Sequence, residues 1–114
     1  MPTPRPGEVW LVRFPFTDLT TTKQRPAFVI ATHAEDIIVA GIFSRVPAKL
    51  RATWVLIDDE QIGFEQTGLK KSSILKAEKI AVIHESVFQR KLWKLPADFA
   101  VGVQTALKKA LLLV

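Results

Sequence analysis

Residues 7–33 read GEVWLVRFPFTDLTTTKQRPAFVIATH, and the way this stretch alternates decides the fold. Gly7 to Phe14 is dense in β-branched and aromatic residues and halts at Pro15, which predicts a first strand. Thr17 to Gln24 is a polar loop. Arg25 to His33 predicts a second strand, with Pro26 tolerated at its start because a missing donor costs little there. A lone arginine therefore stands where a polar loop turns into a buried strand. It is either a solvated loop charge or a group placed to hold an anion.

Further strands extend outward from this pair. DIIVAGIFS, Asp36 to Ser44, predicts a third strand after a hairpin-sized turn. Val46 to Ala52 is a short basic connection, and TWVLID, Thr53 to Asp58, predicts a fourth strand. Residues 60–73 hold two glycines without a sustained period and predict a long connection. ILKAEKI predicts one strand end and a single helical turn. IAVIHESVFQRKLWKL predicts two short strands or one bent strand, broken near Glu85–Ser86. Residues 96–113 predict a C-terminal helix: Pro96 suits the first position, Asp98 the first turn, and Lys108 and Lys109 the end. Phe99, Val103, Ala106, Leu107 and Ala110 recur on one helical face. Residues 1–6 carry three prolines and predict an extended or frayed lead-in. Short strands followed by one helix predict a mainly β domain over 1–114, a small twisted antiparallel sheet or partial barrel closed by that helix.

The 114 residues fit one domain with a modest core, and 48% hydrophobic against 24% charged residues is a globular balance. The absence of cysteine excludes disulfides and cysteine-based zinc sites. No basic-then-apolar leader and no membrane-length apolar run are present, so a cytoplasmic location without membrane contact is the expectation. The net charge of +5 is spread along the chain rather than gathered in a tail. Such a surface favours polyanions, and nucleic acid leads as the partner class.

Several chemistries drop out. No glycine-rich phosphate loop occurs, so a nucleotide cofactor is not expected, nor any other. His33 and His84 lie far apart without cysteine neighbours, which makes a metal site improbable. No G-x-S-x-G frames a serine. What remains is basic and polar: Arg25, Arg45, Lys49, Arg51, Lys70, Lys71, Lys76 and Lys79, with Asp18 and Glu78 near them. On a barrel rim the segments 17–24, 43–52 and 68–79 would share one face. There an arginine can hold a phosphate bidentately, a carboxylate can take a proton from a ribose hydroxyl, and a lysine can stabilise developing charge. From residue types alone, solvated loop charges explain the same residues. Trp10, Trp54 and Trp93 are expected in the core or an interface, although an exposed tryptophan beside the basic face would suit a base. Leu111 to Leu113 are expected to pack on the barrel or on a second subunit.

The string GEVWLVRFPFTDLTTTKQRPAFVIA resembles the opening of the PemK/MazF family, toxins of type II toxin–antitoxin systems. The features that carry the resemblance are the G-[DE]-V start, P-F-T-D closing the first strand, and K-x-R-P-A-x-V-[IL] opening the second. It continues through IIVAGIFS, TWVLID and GLKKSSILKAEKIAVIHESVFQRKLWKL into the closing helix, in order along nearly the whole chain. The resemblance implies an SH3-like small barrel of the CcdB/Kid/MazF type with a C-terminal α-helix, usually a homodimer. It implies a metal-independent endoribonuclease that cleaves single-stranded RNA, chiefly mRNA, leaving a 2′,3′-cyclic phosphate and a 5′-hydroxyl and stopping translation. A cognate antitoxin with an acidic segment would occupy the RNA groove. The alternative is a non-nuclease or inactive barrel that binds nucleic acid or a protein target such as gyrase.

By the same resemblance Arg25 matches the catalytic arginine, and Thr17 to Gln24 the loop that helps form the RNA groove. Lys76 and Glu78 fall where some relatives keep acid–base partners. Thr20, Lys23, Arg45, Lys70, Lys71 and Lys79 are the expected RNA contacts. The departure lies in the third strand, where IFS stands for the family's I-T-[SAQ] and Phe43 replaces the threonine. The nearest hydroxyl is Ser44, one residue on and hence on the opposite face of a regular strand. With a bulge to bring it round, it is the expected catalytic hydroxyl beside Arg25, Lys76 and Glu78.

Overall fold

The computed structural model describes residues 3–13 and 24–113. In chain order they form β1 (Glu8–Arg13), β2 (Gln24–His33), β3 (Asp36–Phe43), β4 (Trp54–Ile57), β5 (Ser73–His84), β6 (Phe88–Lys94) and α1 (Ala97–Ala110). All strand pairs are antiparallel, in the order β4-β5-β3-β2-β1-β6. This is the expected mainly β architecture with one C-terminal helix.

The two-residue period of the strands builds two cores, one on each face of the sheet. Val9, Phe28, Ala40, Ile42 and Leu75 face one side, where Val103 of α1 joins them. Trp10, Val12, Ala27, Val29, Ile37 and Val39 face the other, with Ile83 and Phe88 packed against them. Ala27, Phe28 and Val29 are all buried, so β2 is apolar on consecutive residues because both its faces are covered. Register shifts interrupt the β2–β3, β3–β5 and β1–β6 ladders. Such bulges increase local twist, and they let one sheet cover two cores.

Four expectations need correction. ILKAEKI holds no helical turn: it lies inside the unbroken β5, because β3 and β4 pair with its two edges and satisfy its backbone as strand. The long connection expected over residues 60–73 is present between β4 and β5. It carries a 3-10 turn at Phe64–Thr67, bounded by Gly63 (φ 83°) and Gly68 (φ 74°) in the left-handed region that favours glycine. The lead-in is anchored from Pro4 onward: Pro4 is buried, and the Gly7 amide donates to the Val29 carbonyl at 2.9 Å. The helix begins one residue after Pro96 and ends at Ala110. Leu111, Leu112 and Leu113 do not pack on the sheet and stand exposed in the single chain, which leaves the second subunit as their expected partner. The break expected near Glu85–Ser86 is present as a 3-10 turn at Glu85–Val87. No helix among the described residues is long and apolar enough to cross a membrane.

Glu8 ties three elements together. Its Oε1 accepts from the Trp10 indole and from the Arg5 amide, both at 2.9 Å, and Lys91 Nζ lies 3.0 Å from its Oε2. Burial alone would raise the carboxyl pKa, but these donors outweigh it and hold the pKa below the ordinary glutamate range. A depressed native pKa means stability that is present above the unfolded-state value and lost as pH falls through the native one. Urea midpoints are therefore expected to stay flat above the ordinary glutamate pKa of about 4.3 and to fall below it. Glu8→Gln is expected to flatten that acid limb; an unchanged limb would place the acid sensitivity elsewhere.

Candidate nucleic-acid interface

Arg25 is the second residue of β2, opposite Val12 of β1 and followed by Pro26. The proline ring fixes its own φ and restricts the residue before it to extended backbone, so the arginine is presented from a stiff strand start. Arg25 is half-buried and borders an open groove of about 600 Å³. Leu11, Ile42 and Leu92 are among the apolar lining residues, and Gln24, Ser44, Lys70, Lys71 and Arg90 are among the polar ones. Gly68 shapes one wall: a Cβ there would come within 3.3 Å of Leu92 Cδ2, in addition to the strain of its positive φ.

Beside the groove, cations and aromatic rings alternate across four neighbouring strands. The Arg25 guanidinium lies 5.9 Å from the Phe43 ring centre, at the outer range of a cation–π contact. Lys76 Nζ is shared by two rings, 4.8 Å from Phe43 and 4.7 Å from Trp54. The Arg51 guanidinium lies 5.0 Å from Trp54. The row ends at Glu78, whose Oε2 accepts from Trp54 Nε1 at 2.8 Å and from Arg51 Nη1 at 3.2 Å. Trp54 and Lys76 are direct partners across the β4–β5 ladder, which is why their side chains meet.

The electrostatics of this row are uneven. Burial works to raise the Glu78 pKa, but hydrogen bonds from Trp54, Thr53, its own amide and Arg51 bring it below the ordinary range. Glu78 is therefore a carboxylate at neutral pH, an acceptor and not an acid. The Arg51–Glu78 pair is largely exposed and adds little stability, but it neutralises one charge of each sign. Arg25 and Lys76 have no carboxylate partner among the described residues. Two cations without a described carboxylate partner thus face the same phenylalanine.

The structure brings Arg25, Ser44, Lys70 and Lys71 to one groove and Arg25, Lys76 and Glu78 to one row. Phe43 sits beside Arg25, whereas Ser44 lines the groove with Ile42. Lys76 and Lys79 are residues of β5 and not of a loop; Lys79 is exposed and joins neither cluster, nor does the exposed Arg45. Thr20 and Lys23, with all of residues 14–23, lie outside the described residues. Trp10 is core as expected, and Trp93 packs edge-on against Phe99 of α1. Trp54 is not in the core: it is half-buried among cations. Arg90 was not singled out by its sequence. Its only signal is parity, since it pairs with Leu11 across β1–β6 and so shares the groove face. No group of His, Asp and Glu able to hold a metal occurs among the described residues.

Comparison with known proteins supplies a family. Residues 5–111 match the model of the PemK-like, MazF-like toxins of type II toxin–antitoxin systems. A comparison with curated proteins finds no match. Among solved structures, the Mycobacterium tuberculosis toxin MazF-mt6 superposes with a TM-score of 0.74 at 20% identity, covering 94% of this chain and 98% of that one. An endoribonuclease in complex with its cognate antitoxin, from a mycobacterial species, gives 0.73 at 18% identity, with 97% of both chains covered. MazF from Deinococcus radiodurans gives 0.71 at 22% identity, with 97% and 98% covered. At these identities the likeness is one of fold.

Proposed function

The chain belongs to the PemK-like, MazF-like toxin family of type II toxin–antitoxin systems, and from that membership we propose that it is a metal-independent endoribonuclease. Its substrate is single-stranded RNA, chiefly mRNA, and its cellular effect is arrested translation. The observation that carries the reading is Arg25: a half-buried arginine on a stiff strand start, bordering a basic groove, with no described carboxylate to neutralise it. A guanidinium so held offers two parallel donors to a phosphate.

In this reading the ribose 2′-oxygen attacks the adjacent phosphorus as the bond to the 5′-oxygen breaks. The departing 5′-oxygen takes its proton from solvent water, so the products are a 2′,3′-cyclic phosphate and a 5′-hydroxyl. Arg25 and Lys76 stabilise the charge that develops on the phosphoryl oxygens. Glu78, already ionised, is positioned on the same row to accept the 2′-OH proton. Its depressed pKa makes it a weak base, so electrostatic stabilisation by the two cations carries the larger share of the rate. Ser44, Lys70, Lys71 and Arg90 hold the strand along the groove, and Thr20 and Lys23 add the further RNA contacts expected from the sequence. An antitoxin with an acidic segment would compete for these cations, and a homodimer is the assembly that this family membership favours.

The test is cleavage of an unstructured RNA by the purified protein in EDTA, with the products analysed for the cyclic phosphate. Intact RNA, or cleavage that requires added metal, would overturn the reading. Binding is expected to weaken steeply with salt. Four phosphates, one held by Arg25 and Lys76 and the others by Lys70, Lys71 and Arg90, predict a slope of log K against log[salt] of about −3. A flat dependence would remove the groove from the account.

One observation favours a second reading. Phe43, not a hydroxyl, stands against Arg25, and a chain without that hydroxyl would suit binding without cutting. RNA that is bound but never cleaved would support it.

A further inference from the structure

Of the three tryptophans, two are used by the fold. Trp10 is buried and edge-on to Phe88, and Trp93 packs on Phe99. Trp54 is different: it is half-buried on β4, a strand at the edge of the sheet, and its indole is pinned by the bond to Glu78. Phe43, also half-buried, reaches the same row from β3. The Lys76 ammonium is shared by the two rings, at 4.8 Å and 4.7 Å from them.

An aromatic side chain held rigidly at a partly open surface has already lost the entropy that a ligand contact would otherwise cost. The lysine beside it is easily displaced, because its ammonium sits on a flexible four-carbon stem. Arg25 gives positive charge at one end of the row, whereas Arg51 at the other end is paired with Glu78. With strands about 4.7–4.9 Å apart, the distance from β2 to β4 is about 14 Å, the reach of a few nucleotides.

We infer that Trp54 and Phe43 form a base-stacking subsite for single-stranded RNA, entered when Lys76 leaves the two rings for a phosphate. The proposal rests on the RNA reading above and deepens it. A base takes the place of the ammonium on the ring faces, and the freed ammonium gains an anionic partner. Base–aromatic stacking tolerates any sequence, because every base has a π-face. The subsite therefore adds affinity and register near Arg25 without demanding a particular base. An acidic peptide would meet the cations equally well but would have no use for the two ring faces.

The test compares two uncleavable strands of equal length, a 2′-O-methyl RNA hexamer and its fully abasic counterpart, which has the same number of phosphates. The parent is expected to bind the base-bearing strand about tenfold or more tightly, and only that strand should quench tryptophan fluorescence. Trp54→Leu, which keeps apolar bulk, should lose most of this preference while binding the abasic strand as the parent does. Trp54→Phe should retain most of it. Equal affinity of the parent for both strands would overturn the subsite, as would a preference that survives Trp54→Leu. Quenching by oligoglutamate but not by RNA would assign the surface to a peptide and overturn it too. Cleavage without base preference would sink the subsite alone, whereas base-dependent binding without cleavage would sink the nuclease alone.

Discussion

Arg25→Ala is expected to lower the rate of RNA cleavage in EDTA about 10²–10³-fold, the usual cost of removing one preorganised donor to a developing oxyanion. The side chain is half-buried and touches Phe43 through a weak contact near the limit of cation–π range, so little of the fold depends on it. The variant should therefore unfold close to the parent's urea midpoint. Arg25→Lys is expected to fall between the two, since a lysine supplies the charge but not the bidentate fork. Single-turnover cleavage of one fluorogenic RNA by all three proteins decides the matter. Equal rates for parent and alanine variant would remove Arg25 from the chemistry. A loss accompanied by unfolding would make its role structural.

Leu75→Ala is expected to destabilise the protein by about 2–5 kcal/mol, the range for truncating a buried leucine. Leu75 is fully buried and pairs with Ile42 of β3 on one side and Val55 of β4 on the other. Its cluster also contains Val103 of α1, so one cavity would loosen sheet and helix together. Against a total stability of ordinarily 5–15 kcal/mol, such a loss is a large fraction. Urea denaturation measures it directly. Lys79→Ala, four residues further along the same strand and exposed, should change stability by less than about 0.5 kcal/mol. A similar loss at both positions would mean that strand pairing, not burial, is the stabilising term. Lys76 is the next residue after Leu75, so the truncated variant should also cleave RNA less well than its remaining folded fraction predicts.

Much of this fold was legible in the chain. The first three strands follow from apolar runs bounded by Pro15, the polar loop and the turn at 34–35. The helix follows from its apolar period and its end charges. Those signals are local, and local signals survive into the structure when tertiary contacts agree with them. ILKAEKI was misread for the opposite reason. Taken alone, Leu75, Lys76, Ala77, Glu78 and Lys79 contain good helix formers. Only the presence of β3 on one edge and β4 on the other makes them strand.

The candidate site divides in the same way. Arg25 was identifiable from its setting, a lone arginine before a proline at a strand start, and the family resemblance sharpened it. The row that runs from Arg25 through Phe43, Lys76 and Trp54 to Arg51 and Glu78 was not legible. Its members are spread from residue 25 to residue 78, and no spacing in the chain links them. They meet because β2, β3, β5 and β4 lie side by side, and the direct pairing of Trp54 with Lys76 sets two of the contacts. Sequence by itself determined the residue types, the period of each element and the stiff presentation of Arg25, because these depend on neighbours along the chain. Tertiary structure alone decided that Trp54 stands at a cationic edge and not in the core, because burial depends on which strands become neighbours in space.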